Sequence, residues 1–179
     1  MKRRALYLLM IGGIATMASC TGIDENVVTA TDRQFVKDAA VRNLLNSQTG
    51  QIARTRGTTD EIRRYGEVLI RQASTTSEEL IALAEKKEII LESTLTSSLQ
   101  EDVNLLAGTP EANFNATYIT KTIESLRTTI QVFEQQIKKG NDNELRSWAS
   151  TKLPFLRQHL ERAQTIRTTN NMQTPATSK

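Results

Sequence analysis

The chain has 179 residues, of which 24% are charged and 4% aromatic, with 23 basic and 20 acidic residues, one histidine and one cysteine. That length suits one domain with a modest core, and so few aromatics leave aliphatic side chains to supply most of the buried area. Residues 1–19 hold three of the basic residues and no acidic one, so the remainder carries 20 of each sign. A chain without a basic excess lacks the counterion release that drives phosphate binding, and no nucleic-acid partner is expected.

The N-terminus opens with Lys2, Arg3 and Arg4, continues through an apolar stretch from Ala5 to Met17, and passes through Ala18 and Ser19 to Cys20. A bilayer needs about 20 apolar residues to be crossed, so residues 1–19 have the layout of a secretory signal peptide rather than a spanning helix. A cysteine directly after small residues resembles the bacterial lipobox, in which the thiol is diacylated and becomes the mature N-terminus; Met17 stands where Leu is usual. Cys20 is therefore the predicted lipidation site, and an ordinary signal peptide with an incidental cysteine is the alternative. The lipid would hold the protein to the bacterial cell envelope. Thr21, rather than Asp, after the cysteine resembles lipoproteins sorted to the outer membrane and facing the periplasm, whereas Asp24-Glu25 resembles export tags and leaves surface exposure open. As the sole cysteine of an exported chain, Cys20 has nothing to pair with internally, so no disulfide framework is expected.

Residues 20–30 lack a sustained period and read as a lipidated tether, and residues 169–179, polar and short of large apolar groups, as a flexible tail. Between them, residues 31–168 show helical periodicity without strand alternation. The first helix is expected from Thr31 or Asp32 as N-cap, with Gln34 three residues after Thr31, to about Arg54. The second begins near Thr59, with Asp60 and Glu61 at the positive end of its dipole, and runs to about Lys87. "TSSLQEDVNLLAG" forms a helical turn or two and stops at Gly108 before Pro110. The third long helix spans about Glu111 to Lys139, ending at Gly140, and the fourth follows Asn141 or Asp142 to about Thr168.

The apolar spacing shows which faces meet. Ile119, Ile123, Leu126, Ile130, Phe133 and Ile137 form a 4-3-4-3-4 seam in the third long helix. Leu69, Ala73, Thr76, Leu80 and Leu83 repeat the rhythm in the second. The fourth offers two registers: Leu145, Ala149, Lys152, Leu156, His159, Ala163 and Ile166, or Trp148, Leu153, Leu156, Leu160 and Ala163. Threonine-rich helices of this length must bury their stripes against one another. The fold class predicted is all-α: an up-down-up-down four-helix bundle, with a short extra helix in its one long connection, Ile89 to Asn113.

"TDRQFVKDAA" in the first helix, "FNATY" and Phe133-Glu134 in the third, and "LPFLRQHL" in the fourth occur in the order found in one family. The chain from Thr31 to Ile166 resembles the bacterial domain-of-unknown-function family 4142, exported proteins with a ferritin-like four-helix bundle. The resemblance implies a first-helix Glu, a second-helix Asp-His pair, a third-helix His and the His after "LP", a set of inward groups of the kind that holds a metal in a bundle. Carried onto this chain, those positions hold Asn46, Gln72-Ala73, Leu126 and His159, and Asn115 replaces the Asp usual before the third-helix Tyr. A first-row metal needs three or four converging N, O or S ligands. One imidazole among Ala73, Thr76, Ile123, Leu126 and Ile130 does not supply them, so neither a metal site nor any cofactor beyond the lipid on Cys20 is expected.

His159 is read as a half-buried histidine bonded to a neighbouring side chain or a backbone carbonyl, with a residual metal contact and a proton-responsive contact as the functional alternatives. Pro154 should kink the fourth helix by freeing the carbonyl of Ser150. Nucleophilic catalysis needs a base beside a hydroxyl or thiol; with one histidine and no glycine-rich phosphate loop, no catalytic residue and no enzyme are predicted. Glu78-Glu79, Glu101-Asp102 and Glu85 to Glu88 read as solvated surface, the last an ion-pair-rich helix end. The sequence thus predicts a lipid-anchored envelope bundle with a structural or protein-interaction role, its partners the membrane and an envelope protein or a second copy. The alternative is a ferritin-like metal-binding or oxidative-stress protein with a residual site around His159. Arg63, Arg64, Glu67 and Arg71, or Arg127, Gln131, Glu134 and Lys138, offer mixed-sign faces for such contacts.

Overall fold

The computed structural model describes residues 27–170; the predicted signal peptide, Cys20 and residues 171–179 lie outside the described residues. The described chain is all helix and turn: α1 (Ala30–Arg56), α2 (Asp60–Lys86), α3 (Ser97–Gly108), α4 (Glu111–Lys139) and α5 (Asn143–Thr169). Among the described residues, no helix is long and apolar enough to cross a membrane.

The helix ends follow from local chemistry. Thr29, not Thr31 or Asp32, is the N-cap of α1: its hydroxyl accepts from the Asp32 N–H, and the Asp32 carboxylate accepts from the Thr29 N–H. Asp32 must lie inside the first turn for its carboxylate to reach back, which moves the cap upstream. Thr59, Thr96 and Asp142 cap α2, α3 and α5 one-way, their side chains accepting from the N–H groups of Ile62, Leu99 and Leu145. The extra helix α3 is a full 12 residues. At the end of α2, Glu88 takes a left-handed φ of 53°, with Ile89 N–H donating to Ala84 and Glu88 N–H to Glu85. This Schellman closure turns Ile89 into the core.

Tertiary contacts fix the direction of each helix. Asn43 of α1 donates to the Ala73 carbonyl of α2 at 2.8 Å, and Arg33 donates to Glu88 at 3.3 Å, so these helices run in opposite senses. They approach closely at Gly50 and Gly66, where a β-carbon on Gly66 would lie 2.7 Å from the Gly50 carbonyl oxygen. Phe35 packs edge-on against Phe133 at 5.1 Å, and Asn115 of α4 bonds Thr58 beyond the end of α1, so α4 is antiparallel to α1. Glu79 meets Lys152 at 2.6 Å and Tyr65 meets His159, so α5 is antiparallel to α2. Hence α2 and α4 run the same way. The strict up-down-up-down alternation expected from sequence does not describe these contacts. Residues 87–96 and α3 instead carry the chain back along a bundle about 40 Å long, the length of a 27-residue helix.

The heptad seam of α4 is buried through Ile119, Ile123, Leu126, Ile130 and Phe133. At the last step burial passes from Ile137, which is half-buried, to Gln136, whose amide donates to Asp32 at 2.7 Å. In α5 both apolar registers contribute: Leu145, Ala149, Ala163 and Ile166 come from one, and Leu153 from the other. The helix continues through Pro154, and both Pro154 and Ser150 are exposed, so the carbonyl freed by the proline is on the solvent side.

Two apolar clusters result. One gathers Phe35, Leu80, Ile130, Phe133 and Leu145 near the end where the chain enters. The other gathers Tyr65, Phe114, Tyr118, Leu126 and Ile166 at the far end. Leu156 and Leu160 pack against both.

Candidate functional site

Between the two clusters lies a waist contributed by four helices. Asn46 from α1, Gln72 and Ala73 from α2, Leu126 from α4 and His159 from α5 all line one small cavity of about 50 Å³. These are the positions at which the resemblance places an ion-holding set, so the fold does bring them together. Their chemistry is two carboxamides, a methyl, an isobutyl and one imidazole.

The surroundings also disfavour a cation. Arg42 and Lys152 line the same cavity, and Lys152 is held by Glu79 at 2.6 Å. Glu79 also accepts from the Trp148 indole N–H at 2.7 Å, so it ties α2 to α5 rather than standing solvated as the sequence suggested. Burial pushes its carboxyl up, but the bonds from Lys152 and Trp148 outweigh that and hold it below the usual range. Asn43 is committed to Ala73 and to the Ser77 hydroxyl, each at 2.8 Å. Among the described residues, no group of three or more His, Cys, Asp or Glu is placed to hold a metal ion. The donor set present at the waist does not fit the metal that the family resemblance implies.

His159 itself is half-buried. Its backbone carbonyl accepts from the Tyr65 hydroxyl at 2.9 Å, and its ring lies 6.5 Å from the Tyr65 ring at 51°. The imidazole makes no hydrogen bond among the described residues. Burial, with the Arg162 charge adding, lowers its pKa below the ordinary histidine value. Its outer edge reaches a shallow groove that also includes Glu161 and Thr165. Thr165 donates its hydroxyl proton to the Glu161 backbone carbonyl at 3.0 Å, away from the imidazole, so this trio is not arranged as nucleophile and base.

A second set of polar contacts closes the end of the bundle where α1 begins. The carboxylate of Asp32, fully buried, accepts from the Thr29 N–H and hydroxyl, the Gln136 amide and the N–H groups of Asn141 and Asp142. Burial alone would raise its pKa, but these donors together hold it below the ordinary carboxylate value. Beside it, Lys87 pairs with Asp142 at 2.6 Å and Glu144 at 3.0 Å, and Lys86 with Glu144 at 2.7 Å. The "EKKE" segment is thus an ion-paired link to α5 as well as a helix end. Asp102, read from sequence as surface, pairs with Lys121 at 3.0 Å and joins α3 to α4. Arg64, Glu67, Arg71, Arg127, Gln131, Glu134 and Lys138 are all exposed, and Arg63 is half-buried through its pair with Asp60.

No curated protein matches the chain, and no solved structure does. The family model described as "Domain of unknown function (DUF4142)" matches residues 20–166. With that span covering all but the last three residues of the helical bundle and including the residues that converge at its waist, the chain belongs to the DUF4142 family.

Proposed function

We propose that this protein is a lipid-anchored cell-envelope bundle of ferritin-like arrangement, with a structural or protein-interaction role, no catalytic centre and no resident metal. The carrying observation is the chemistry of the waist: positions 46, 72, 73, 126 and 159 converge, yet they present Asn, Gln, Ala, Leu and a single His, with two cations beside them. A cation there would lose its hydration without gaining the carboxylates or imidazoles that compensate for it. The ferritin-like reading is supported by two antiparallel helical pairs joined by one long crossover, the connection that distinguishes such bundles from strictly alternating ones. Anchoring rests on Cys20, and the described chain begins seven residues later. A lipid on Cys20, only twelve residues before Asp32 in the chain, would keep that end of the bundle close to the membrane. The exposed faces of α2 and α4 are then the available surfaces for an envelope protein or a second copy.

Fractionation of cells expressing the Cys20→Ala variant tests the anchor. The protein is expected to leave the membrane fraction, and unchanged membrane association would contradict lipidation at this residue. Crosslinking in native envelopes followed by pull-down tests the interaction role, with products expected through the lysines and arginines of α2 and α4.

A further inference from the structure

At the end of the bundle where α1 begins, two large apolar side chains point away from the protein, each beside a neighbour anchored in the core. Ile90 is 84% exposed, more than any other large apolar side chain among the described residues. Ile89 before it is buried, and Leu91 after it packs against the same core cluster, so Ile90 is held outward from both sides. The turn that arranges this puts Glu88 at a left-handed φ of 53°, which residues other than glycine rarely adopt. Val27, 53% exposed, repeats the pattern: Val28 packs inward, and the Val27 carbonyl accepts from the Asn141 side chain at 2.8 Å. Arg33, in the second turn of the chain after Val27, donates to the Glu88 carbonyl at 3.3 Å, so the two apolar prongs share one end of the molecule.

The surroundings narrow what covers them. A stable protein interface engages about 20–30 residues a side, whereas the exposed side chains around these prongs carry both signs of charge: Glu85, Glu88 and Glu92 at and beyond the end of α2, and Lys138 and Lys139 at the end of α4. Such a rim selects neither an anionic nor a cationic surface. An interfacial lipid contact takes a few apolar side chains at the acyl boundary and leaves charged groups among the headgroups. The chain also brings lipid to this end, because Val27 follows Cys20 by seven residues. Building on the anchored reading above, we propose that Ile90 and Val27 dock onto the membrane that holds the Cys20 lipid, so that the bundle stands on the bilayer by the end where α1 begins. Two side chains do not hold a protein to a bilayer alone, since a single acyl chain is already marginal. With Cys20 anchored, their insertion becomes intramolecular and proceeds at high effective concentration.

Spin labelling of the full lipidated protein tests this. Lipidation consumes the only cysteine, so Ile90→Cys, Val27→Cys and Leu105→Cys each give one site for a nitroxide. Leu105, 55% exposed on α3, is the control, because Arg56 holds the neighbouring Leu106 carbonyl near the opposite end of the bundle. In neutral phosphatidylcholine vesicles, paramagnetic resonance reads contact with oxygen, which concentrates in the bilayer, against contact with a nickel chelate, which stays in water. The oxygen-to-nickel ratio is expected to be several-fold higher at positions 27 and 90 than at 105, and unchanged by high salt or added anionic lipid. Adding Ile90→Asp should return the label at position 27 to the water value while leaving the melting temperature unchanged, since Ile90 is exposed. Protein that floats with the vesicles but gives water-like labels at 27 and 90 overturns the docking and leaves the anchor standing; protein that does not float overturns both. Dipolar broadening between labels at position 90 without oxygen contact would put a second copy there and overturn the proposal.

Discussion

Replacing Asp32 by Ala removes the acceptor at the centre of the network that closes the bundle where α1 begins. In the native protein its carboxylate accepts from Thr29 N–H at 2.9 Å, Thr29 hydroxyl at 2.6 Å, Gln136 amide at 2.7 Å, Asn141 N–H at 3.1 Å and Asp142 N–H at 3.3 Å. A bond to a charged acceptor contributes about 1.5–3 kcal/mol, and a stranded buried donor costs about 1–3 kcal/mol. The helix-cap share is about 1 kcal/mol. All of these bonds converge on one carboxylate, so their contributions do not add, and the expected loss is about 3–5 kcal/mol, the range for breaking a buried network. For a domain of this size that lowers the midpoint by about 6–20 °C, at roughly 2–4 °C per kcal/mol. Urea denaturation followed by circular dichroism measures the difference directly. The pH dependence supplies a second readout. Because the folded-state pKa of Asp32 lies below its unfolded value of 3.8, its contribution is present above about pH 4 and is lost as the pH falls through the folded value. The native protein should therefore lose more stability than Asp32→Ala on acidification below about pH 4. A variant within about 1 kcal/mol of the parent, below the cost of even one stranded donor, would refute the assignment, as would an acid limb identical to the parent's.

Gly66→Ala should destabilise the protein by about 1–3 kcal/mol, the cost of overpacking a close contact, because the new β-carbon meets the Gly50 carbonyl, Ala53 and Arg54. Thermal melts check this, and an unchanged midpoint would mean that the helices do not approach so closely. Glu79→Gln and Lys152→Met should each destabilise the bundle, and their double-mutant cycle should give a coupling of about 1–2 kcal/mol, since both groups are partly shielded from water. A coupling near zero would place Glu79 back in solvent.

Much of the bundle was legible because aliphatic spacing reports burial wherever a helix face is uniformly apolar. The α4 seam from Ile119 to Phe133 is the clearest case, and Thr59 and Asp142 mark helix starts through side-chain caps, whereas α3 and α4 end at Gly108 and before Gly140 with neither glycine at positive φ. The pattern failed where a polar side chain took an interior position for its partner. Gln136 displaced Ile137 from the seam because Asp32 waits across the bundle, more than a hundred residues earlier in the chain. Asp32 was mistaken for a cap because a capping box closed by Asp looks much like a cap that begins at Asp. Glu79 and Asp102 looked like surface because their cationic partners, Lys152 and Lys121, lie on other helices. Chain direction was harder still. An α2-to-α4 connection of this length is compatible with a crossover or a reversal, and only Asn115 against Thr58 and Phe35 against Phe133 decide it. For the waist, family resemblance located the positions and ordinary donor chemistry judged them.

The central claim, a bundle whose waist holds carboxamides and hydrocarbon where the family resemblance implies ion-holding side chains, is tested most directly by elemental analysis of the protein purified from its native host without chelator. Iron, zinc and manganese are each expected at well below one equivalent per chain, with His159→Ala indistinguishable from the parent. One equivalent of any of these metals, lost on His159→Ala, would contradict the account.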